Sequence, residues 1–325
     1  MLSEKIQKNI ETLNLLGNSQ TPFLFIFDFI CQNPKIIPLS GINTKKLLYS
    51  INEHKNYQEP VSKNITLEFE LQAVEKERYK RAFDLVQKHI HYGDSFLLNL
   101  TMPSKIKSNY SLKDIFFASK AKYKLWLNDQ FVVFSPEIFI KTNDNKISSF
   151  PMKGTIDANV VDAKNKLLSN EKELAEHFTI VDLIRNDLSI VSKNVRVEEF
   201  RYIDTITTNR GNLLQMSSKI TGDLPNNWQS NIGNILMSML PAGSISGAPK
   251  KKTLEIIKEA EAYERGYYTG VFGIFDGKNI DSGVMIRFVE KTDSGLIYKS
   301  GGGITSKSNV EEEYDELVQK VYIPI

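Results

Sequence analysis

Four β-type runs follow one another between Lys124 and Phe150: KLWLN, FVVFS, IFIKT and KISSF. Only two or three residues separate each from the next. Links that short join antiparallel neighbours, because a parallel pair needs a crossover of about a dozen residues or more. The pattern returns where VFGIFD, NIDSGVMIRFVE and GLIYKS are divided by turn residues at Asp276-Gly277 and Asp293 to Gly295. Helical periods lie between these blocks. Residues 3–16 open the chain as an amphipathic helix, and a mixed polar connection covers 33–66. Residues 67–91 read as a helix with Leu71, Val74, Tyr79, Phe83 and Val86 as its apolar positions. Residues 171–191 carry a stripe of Leu174, Phe178, Val181 and Ile184. Ser111 stands where an N-cap belongs ahead of LKDIFFASKA, and NVEEEYDELVQKVY forms the last helix. Strands and helices interleaved in this way predict an α+β chain with antiparallel sheets, 1–325 forming one domain.

Hydrophobic residues at 41% and charged residues at 25% are the proportions of a soluble globular protein, and the length allows a large core. A formal net charge of +2 gives no electrostatic footprint for a nucleic acid. The longest apolar run, FLFIFDFI, is short and carries Asp28, so no membrane span is expected. One cysteine, Cys31, precludes an internal disulfide and any multi-cysteine metal site, and fits a reducing compartment. The expectation is a cytoplasmic protein with neither nucleic acid nor membrane as partner.

Lys153 sits in SFPMKGTI, where Pro151 fixes its own φ and Gly154 permits a tight backbone. It is either a solvated loop charge or a positioned amine. Glu313 and Glu316 share a face of the last helix, with Lys320 one turn beyond Glu316. That is either a solvated face with an internal ion pair or, with Glu176 from the other long helix, a set of oxygens for a hard cation. PAGSISGAPKK does not match a nucleotide-binding loop, because Gly243 and Gly247 are four apart and Pro249 precedes the lysine. Its glycines, like Gly301, Gly302 and Gly303, offer backbone N–H groups to an anion, or else form mobile turns. Arg287, in VMIRF, is an edge residue or a planar fork for a carboxylate. Tyr268 is a core aromatic or a ligand contact.

PMKGTI, AEHFTIVDLIRNDLSIV, PAGSISGAPK, RGYYTGVFGIFD, MIRF, GGGIT and EEEYDELVQK stand in the order found in the chorismate-utilising enzymes, which this chain resembles over roughly residues 68–325. Those enzymes include the component I chains of anthranilate synthase and aminodeoxychorismate synthase, together with isochorismate and salicylate synthases. Residues 1–66 look like a shortened amino-terminal part, and 67–325 like the catalytic core. The resemblance implies two stacked antiparallel β-sheets flanked by helices, with chorismate and magnesium (Mg2+) held between them. Matched residue by residue, Glu176, Glu313 and Glu316 are the expected magnesium carboxylates. Arg287 and Tyr268 are the expected contacts to the enolpyruvyl group. The backbone of Gly301, Gly302 and Gly303, with Ser246 and Lys320, would complete the anion site.

The branches of that family differ in what attacks ring carbon 2. The water-using branch carries a lysine where this chain has Leu97, which cannot act as a base. Anthranilate synthases carry alanine in the central motif and a histidine where this chain has Gln215. Aminodeoxychorismate synthases carry lysine in the central motif, as PMKGT does here at Lys153. The resemblance therefore implies aminodeoxychorismate synthesis from chorismate and ammonia, with Lys153 as nucleophile and Glu176 as the acid beside its magnesium role. Anthranilate synthesis is the first alternative, and a non-catalytic chorismate-binding chain the second. Cys31 lies in FICQN without a tight glycine setting, and His54, His89, His91 and His177 lie in no partner motif. The ammonia is thus expected from a glutamine amidotransferase subunit on a separate chain.

Overall fold

The computed structural model describes residues 4–59, 66–208 and 211–325. The expected start of the first helix at residue 3, and residues 60–65 of the polar connection, lie outside the described residues. The contacts gather into two compact units, each assembled from three segments of chain.

The first unit comprises Met1–Leu39, Glu137–Ser244 and Gly270–Val284. It holds a nine-stranded sheet. In spatial order its strands are Met152–Asp157, Gly211–Asp223, Lys146–Ser149, Ile138–Asn143, Ile280–Val284, Val271–Phe275, Phe23–Phe27 and Lys35–Pro38, with Lys193–Thr208 also on Gly211–Asp223. Every pairing is antiparallel. All five residues of Phe23–Phe27 are buried, so this strand is covered on both faces. Each such phenylalanine contributes about 1.5–3 kcal/mol by leaving water. Helix Glu4–Asn18 lies close to Ile232–Met239: a β-carbon on Gly233 would stand 2.5 Å from Ile10 O. Helix Glu171–Val191 has the expected bounds, and its stripe holds at Val181 and Ile184 but not at Phe178. Phe178 is 53% exposed and rests on Phe200, ring centres 5.3 Å apart, while His177, Ile180, Val181, Ile184 and Leu188 turn inward.

The second unit comprises Ser40–Pro136, Ile245–Thr269 and Met285–Ile325. Its nine-stranded sheet runs Gly247–Ala248, Leu97–Ser108, Gly295–Ile304, Phe288–Thr292, Phe131–Ser135, Tyr123–Leu127, Leu47–Ile51 and His54–Lys55, with Phe69–Gln72 also on Leu97–Ser108. These pairings too are antiparallel. Helices Lys76–Tyr92, Leu112–Ala118, Lys250–Glu261 and Val310–Gln319 belong to this unit. Ser111 caps Leu112–Ala118 as expected, accepting from Asp114 N at 3.2 Å. The α+β reading holds: two antiparallel sheets flanked by helices.

Three local expectations change. Residues 69–72 form a strand ahead of the helix, because the alternation of half-buried Phe69 and Leu71 with exposed Glu70 and Gln72 has a period of two. The run NIDSGVMIRFVE is two strands in different sheets, broken before Phe288, where Arg287 has φ 52°. The expected runs at 195–200 and 203–208 are one strand, Lys193–Thr208, bent where Arg201 takes φ 55°.

Candidate functional site

In the first unit Lys153 lies on a strand. Met152–Asp157 runs along Gly211–Asp223 with Lys153 opposite Met216 and Thr155 opposite Gln215. The register shifts between Lys153 and Thr155, and Gly154 occupies the extra place at φ 75°. The conformation requires glycine, and a β-carbon there, 2.8 Å from Leu167 Cδ1 and 3.3 Å from Glu173 Oε2, would push those side-chain ends aside. Lys153 Nζ donates to Glu176 Oε2 at 2.9 Å across 23 residues of sequence. The lysine side chain is 22% exposed and the glutamate side chain 10%. A freely solvated loop charge does not describe this lysine.

One residue beyond Glu176, His177 is wholly buried. Its Nε2 lies 2.7 Å from Ser218 Oγ. Ser218 Oγ also accepts from Arg201 N at 3.0 Å, and Ser218 N donates to Pro151 O at 3.1 Å. Burial, and then the charges of Arg201 and Lys153, pull the His177 imidazole down to a pKa of about 4, so it is neutral near pH 7.

The same unit carries acidic groups that the sequence reading did not select. Glu137 and Asp187, with Ser149, Pro151 and Ser244, line a cavity of about 10 Å³, room for one water-sized molecule. Ser244 Oγ donates to Glu137 Oε1 at 2.5 Å. The available signal was an acidic residue directly after a Ser-Pro link between two strands.

In the second unit the glycine triplet is not a loop. Gly301, Gly302 and Gly303 lie in strand Gly295–Ile304 opposite Thr101, Leu100 and Asn99. A β-carbon on Gly301 would stand 2.3 Å from Leu100 O. A β-carbon on Gly302 would occupy a space bounded by Glu313 Oε2 at 3.5 Å, Glu316 Oε1 at 3.6 Å and Lys320 Nζ at 3.6 Å. Thus Gly302, Glu313, Glu316 and Lys320 meet over one bare stretch of backbone. Lys320 Nζ pairs with Glu316 Oε1 at 2.5 Å and donates to Gly301 O at 2.9 Å. Glu313 is buried and Glu316 is half exposed. Both carboxylates, after burial, help raise the pKa of the neighbouring Tyr79 phenol.

Arg287 sits at a bend. Its Nη1 donates to Lys320 O at 2.5 Å, and its guanidinium covers the Tyr322 ring at 4.6 Å. Tyr268 is buried against Phe288, ring centres 5.7 Å apart, and burial raises the pKa of its phenol. Ser246 is fully buried just before Gly247–Ala248. A buried ion pair braces this region: Arg265 binds both oxygens of Glu261 and donates to Ile245 O at 2.9 Å and Asn99 O at 2.6 Å. Nothing in the local sequence marks Arg265 as the partner of Glu261 and of those two carbonyls.

Among the described residues no group of three or more His, Cys, Asp or Glu side chains is placed to hold a metal ion. The pair Glu313 and Glu316 suits magnesium by itself, since that ion takes one or two protein carboxylates and fills its other positions with water or substrate oxygens. The glycine floor keeps the space before them open.

Residues 36–325 match the chorismate binding enzyme family. The chain belongs to that family. It is 50% identical over 326 residues to an uncharacterised PabA-like protein of Haemophilus influenzae, covering 100% of this chain and 99% of the relative. It is 31% identical to aminodeoxychorismate synthase component 1 of Escherichia coli, over 76% of this chain and 56% of the relative. It is also 31% identical to anthranilate synthase component 1 of Aquifex aeolicus, over 75% and 51%. The chain thus spans about half the length of these last two. Among solved structures, the menaquinone-specific isochorismate synthase of Escherichia coli superposes with a TM-score of 0.72 at 15% identity, over 97% of this chain and 80% of that one. That likeness shows the fold. No helix among the described residues is long and apolar enough to cross a membrane.

Proposed function

We propose that the chain converts chorismate and ammonia to 4-amino-4-deoxychorismate, the reaction of aminodeoxychorismate synthase component I, in the cytoplasmic branch toward 4-aminobenzoate and folate. The named relatives divide between two reactions at equal identity, so identity does not choose. Lys153 supports the first: it is a half-buried amine, set on a bulge, with Glu176 Oε2 at 2.9 Å.

The amine of Lys153 attacks ring carbon 2. Both ring double bonds shift and the bond from carbon 4 to its hydroxyl breaks, the leaving oxygen taking a proton and departing as water. The adduct nitrogen gives up a proton. Ammonia then adds at carbon 4 and gives up a proton, both double bonds return, and Lys153 leaves with a proton regained. One hard substitution becomes two allylic ones. A lysine paired with Glu176 as an ammonium has no lone pair to give, so this contact opens and the proton moves off before attack. In that contact Glu176 accepts a hydrogen bond, which suits taking the lysine's proton better than protonating a hydroxyl. Glu137 is the second carboxylate for the latter task. It shares its cavity with Pro151, two residues from Lys153.

Glu313 and Glu316 would hold magnesium, with Glu176 assigned to it by the resemblance. Bound there, the ion supplies positive charge for the ring carboxylate. Gly301, Gly302 and Gly303 offer their backbone, Lys320 and Arg287 their charge, and Tyr268 and Ser246 their hydroxyls to the rest of the substrate. The nitrogen comes from a separate glutamine amidotransferase subunit. Cys31 is no substitute: burial, then Asp28, push its thiol up to about 12, whereas a nucleophilic cysteine needs a lowered pKa.

The test is mass spectrometry of the protein with chorismate and magnesium but no ammonia. A chorismate-derived adduct on the Lys153 peptide is expected; an unmodified peptide under conditions of turnover removes the nucleophile. Product analysis separates the anthranilate alternative, which releases pyruvate. A chain that binds chorismate and never turns it over would be the non-catalytic alternative.

A further inference from the structure

We propose that His177 and Ser218 form a positioning latch that fixes the helix carrying Glu176 to the strand carrying Lys153. The latch is a tier below the chemistry and rests on the reading of Lys153 as the attacking amine.

Ser218 is the point where three elements meet. Its N–H holds Pro151 O at 3.1 Å, which ties it to the chain entering the Lys153 strand, and its neighbours Ser217 and Met216 stand opposite Met152 and Lys153. Its hydroxyl oxygen accepts from Arg201 N at 3.0 Å, a contact made possible by the bend where Arg201 takes φ 55°. A backbone N–H can only donate, so that oxygen accepts there with one of its two lone pairs, and the hydroxyl bonds His177 Nε2 at 2.7 Å in either imidazole tautomer. The 2.7 Å contact from His177 and the 2.9 Å contact from Glu176 therefore close a ring: helix, Ser218, Pro151, Lys153 and back to the helix.

Two observations set this apart from an ordinary core histidine. First, Nδ1 has no hydrogen-bond partner among the described residues although the side chain is fully buried. An apolar side chain would fill the site without stranding a polar nitrogen, so the imidazole is kept at a cost, for the bond on its other side. Second, the bond from His177 to Ser218 joins helix to strand at the residue next to Glu176, so it fixes the position of Glu176 beside Lys153.

The proposal is tested on Ser218→Ala, which removes one oxygen and leaves the packing, and on His177→Gln, whose amide reaches about as far as Nε2. The first readout needs no substrate: the rate at which an acetylating N-hydroxysuccinimide ester labels Lys153, followed by peptide mass spectrometry with exposed Lys278 as internal reference. Ser218→Ala should label Lys153 at least about fivefold faster, and His177→Gln should stay within about twofold of the parent. In turnover, Ser218→Ala should lower kcat by roughly 10- to 100-fold while KM for chorismate moves less than about threefold, the pattern of a misplaced group. The double variant His177→Ala/Ser218→Ala should be no worse than its worse single. Parent-like labelling and kcat in Ser218→Ala overturn the latch even where Lys153→Ala is inactive. Altered labelling with an active Lys153→Ala keeps the latch and removes the nucleophile instead.

Discussion

The two units carry their functional groups by different means. In the second, Gly302 lies in a ten-residue strand paired along its length, and Glu313 and Glu316 project from a helix capped by Asn309, which accepts from Glu311 N at 2.9 Å. Backbone positions nearly everything there. In the first, Lys153 lies on the terminal strand of its sheet, at a register shift, and is held by side chains: its own bond to Glu176 and the bond of His177 to Ser218. On the proposed reading the contrast suits a division of labour: a binding surface gains from backbone that cannot rearrange, whereas an amine that pairs, loses a proton, attacks and leaves needs contacts that open.

Lys153→Ala breaks the comparison most directly. Formation of aminodeoxychorismate, followed by chromatography with ammonium as nitrogen source, should fall by about 10³-fold or more, while chorismate affinity by calorimetry changes only a few-fold. Full turnover would mean that the first unit holds no covalent catalyst. Nucleophilic character in that unit should also belong to Lys153 and not to Cys31. With its thiol at about 12 against an ordinary 9, the folded chain holds roughly 10³-fold less thiolate at pH 8.5 than the unfolded one, and alkylation by iodoacetamide should slow accordingly. The same shift costs no stability below pH 9. Stability falls as pH rises from 9 toward 12, because only the unfolded thiol then releases its proton.

Gly302→Val probes the rigid side. It fills the space before Glu313, Glu316 and Lys320, and should weaken chorismate binding by roughly 10- to 100-fold with circular dichroism unchanged. Unaltered affinity would place the substrate elsewhere. The smallest effect belongs to Asn309→Ala, which removes the cap of the acidic helix and should cost about 1 kcal/mol in urea denaturation, with a modest loss of magnesium-dependent binding.

The sequence was most legible where periodicity is local. Hairpin-linked strands, the bounds of Glu171–Val191 and the Ser111 cap all follow from neighbours within one turn or one link. It failed where the deciding partner is remote. Gly301 to Gly303 resemble a mobile turn until Leu97–Ser108 is set beside them. Phe178 fits an apolar stripe at helical spacing, yet the helix is rolled so that His177 faces in and Phe178 lies on Phe200. The bond between His177 and Ser218 spans 41 residues and leaves no local mark. Lys153 and Glu176 were both selected, but on the resemblance; no spacing rule joins residues 23 apart on a strand and a helix.

The irregularity at Gly154 has an evolutionary corollary. Because the extra residue, and not the lysine, determines how the strand is kinked, the shape of that edge survives replacement of the side chain beside it. A relative that retains the glycine and exchanges the neighbouring amine for a methyl group keeps the same kink and, on the proposed reading, loses the handle for covalent attachment.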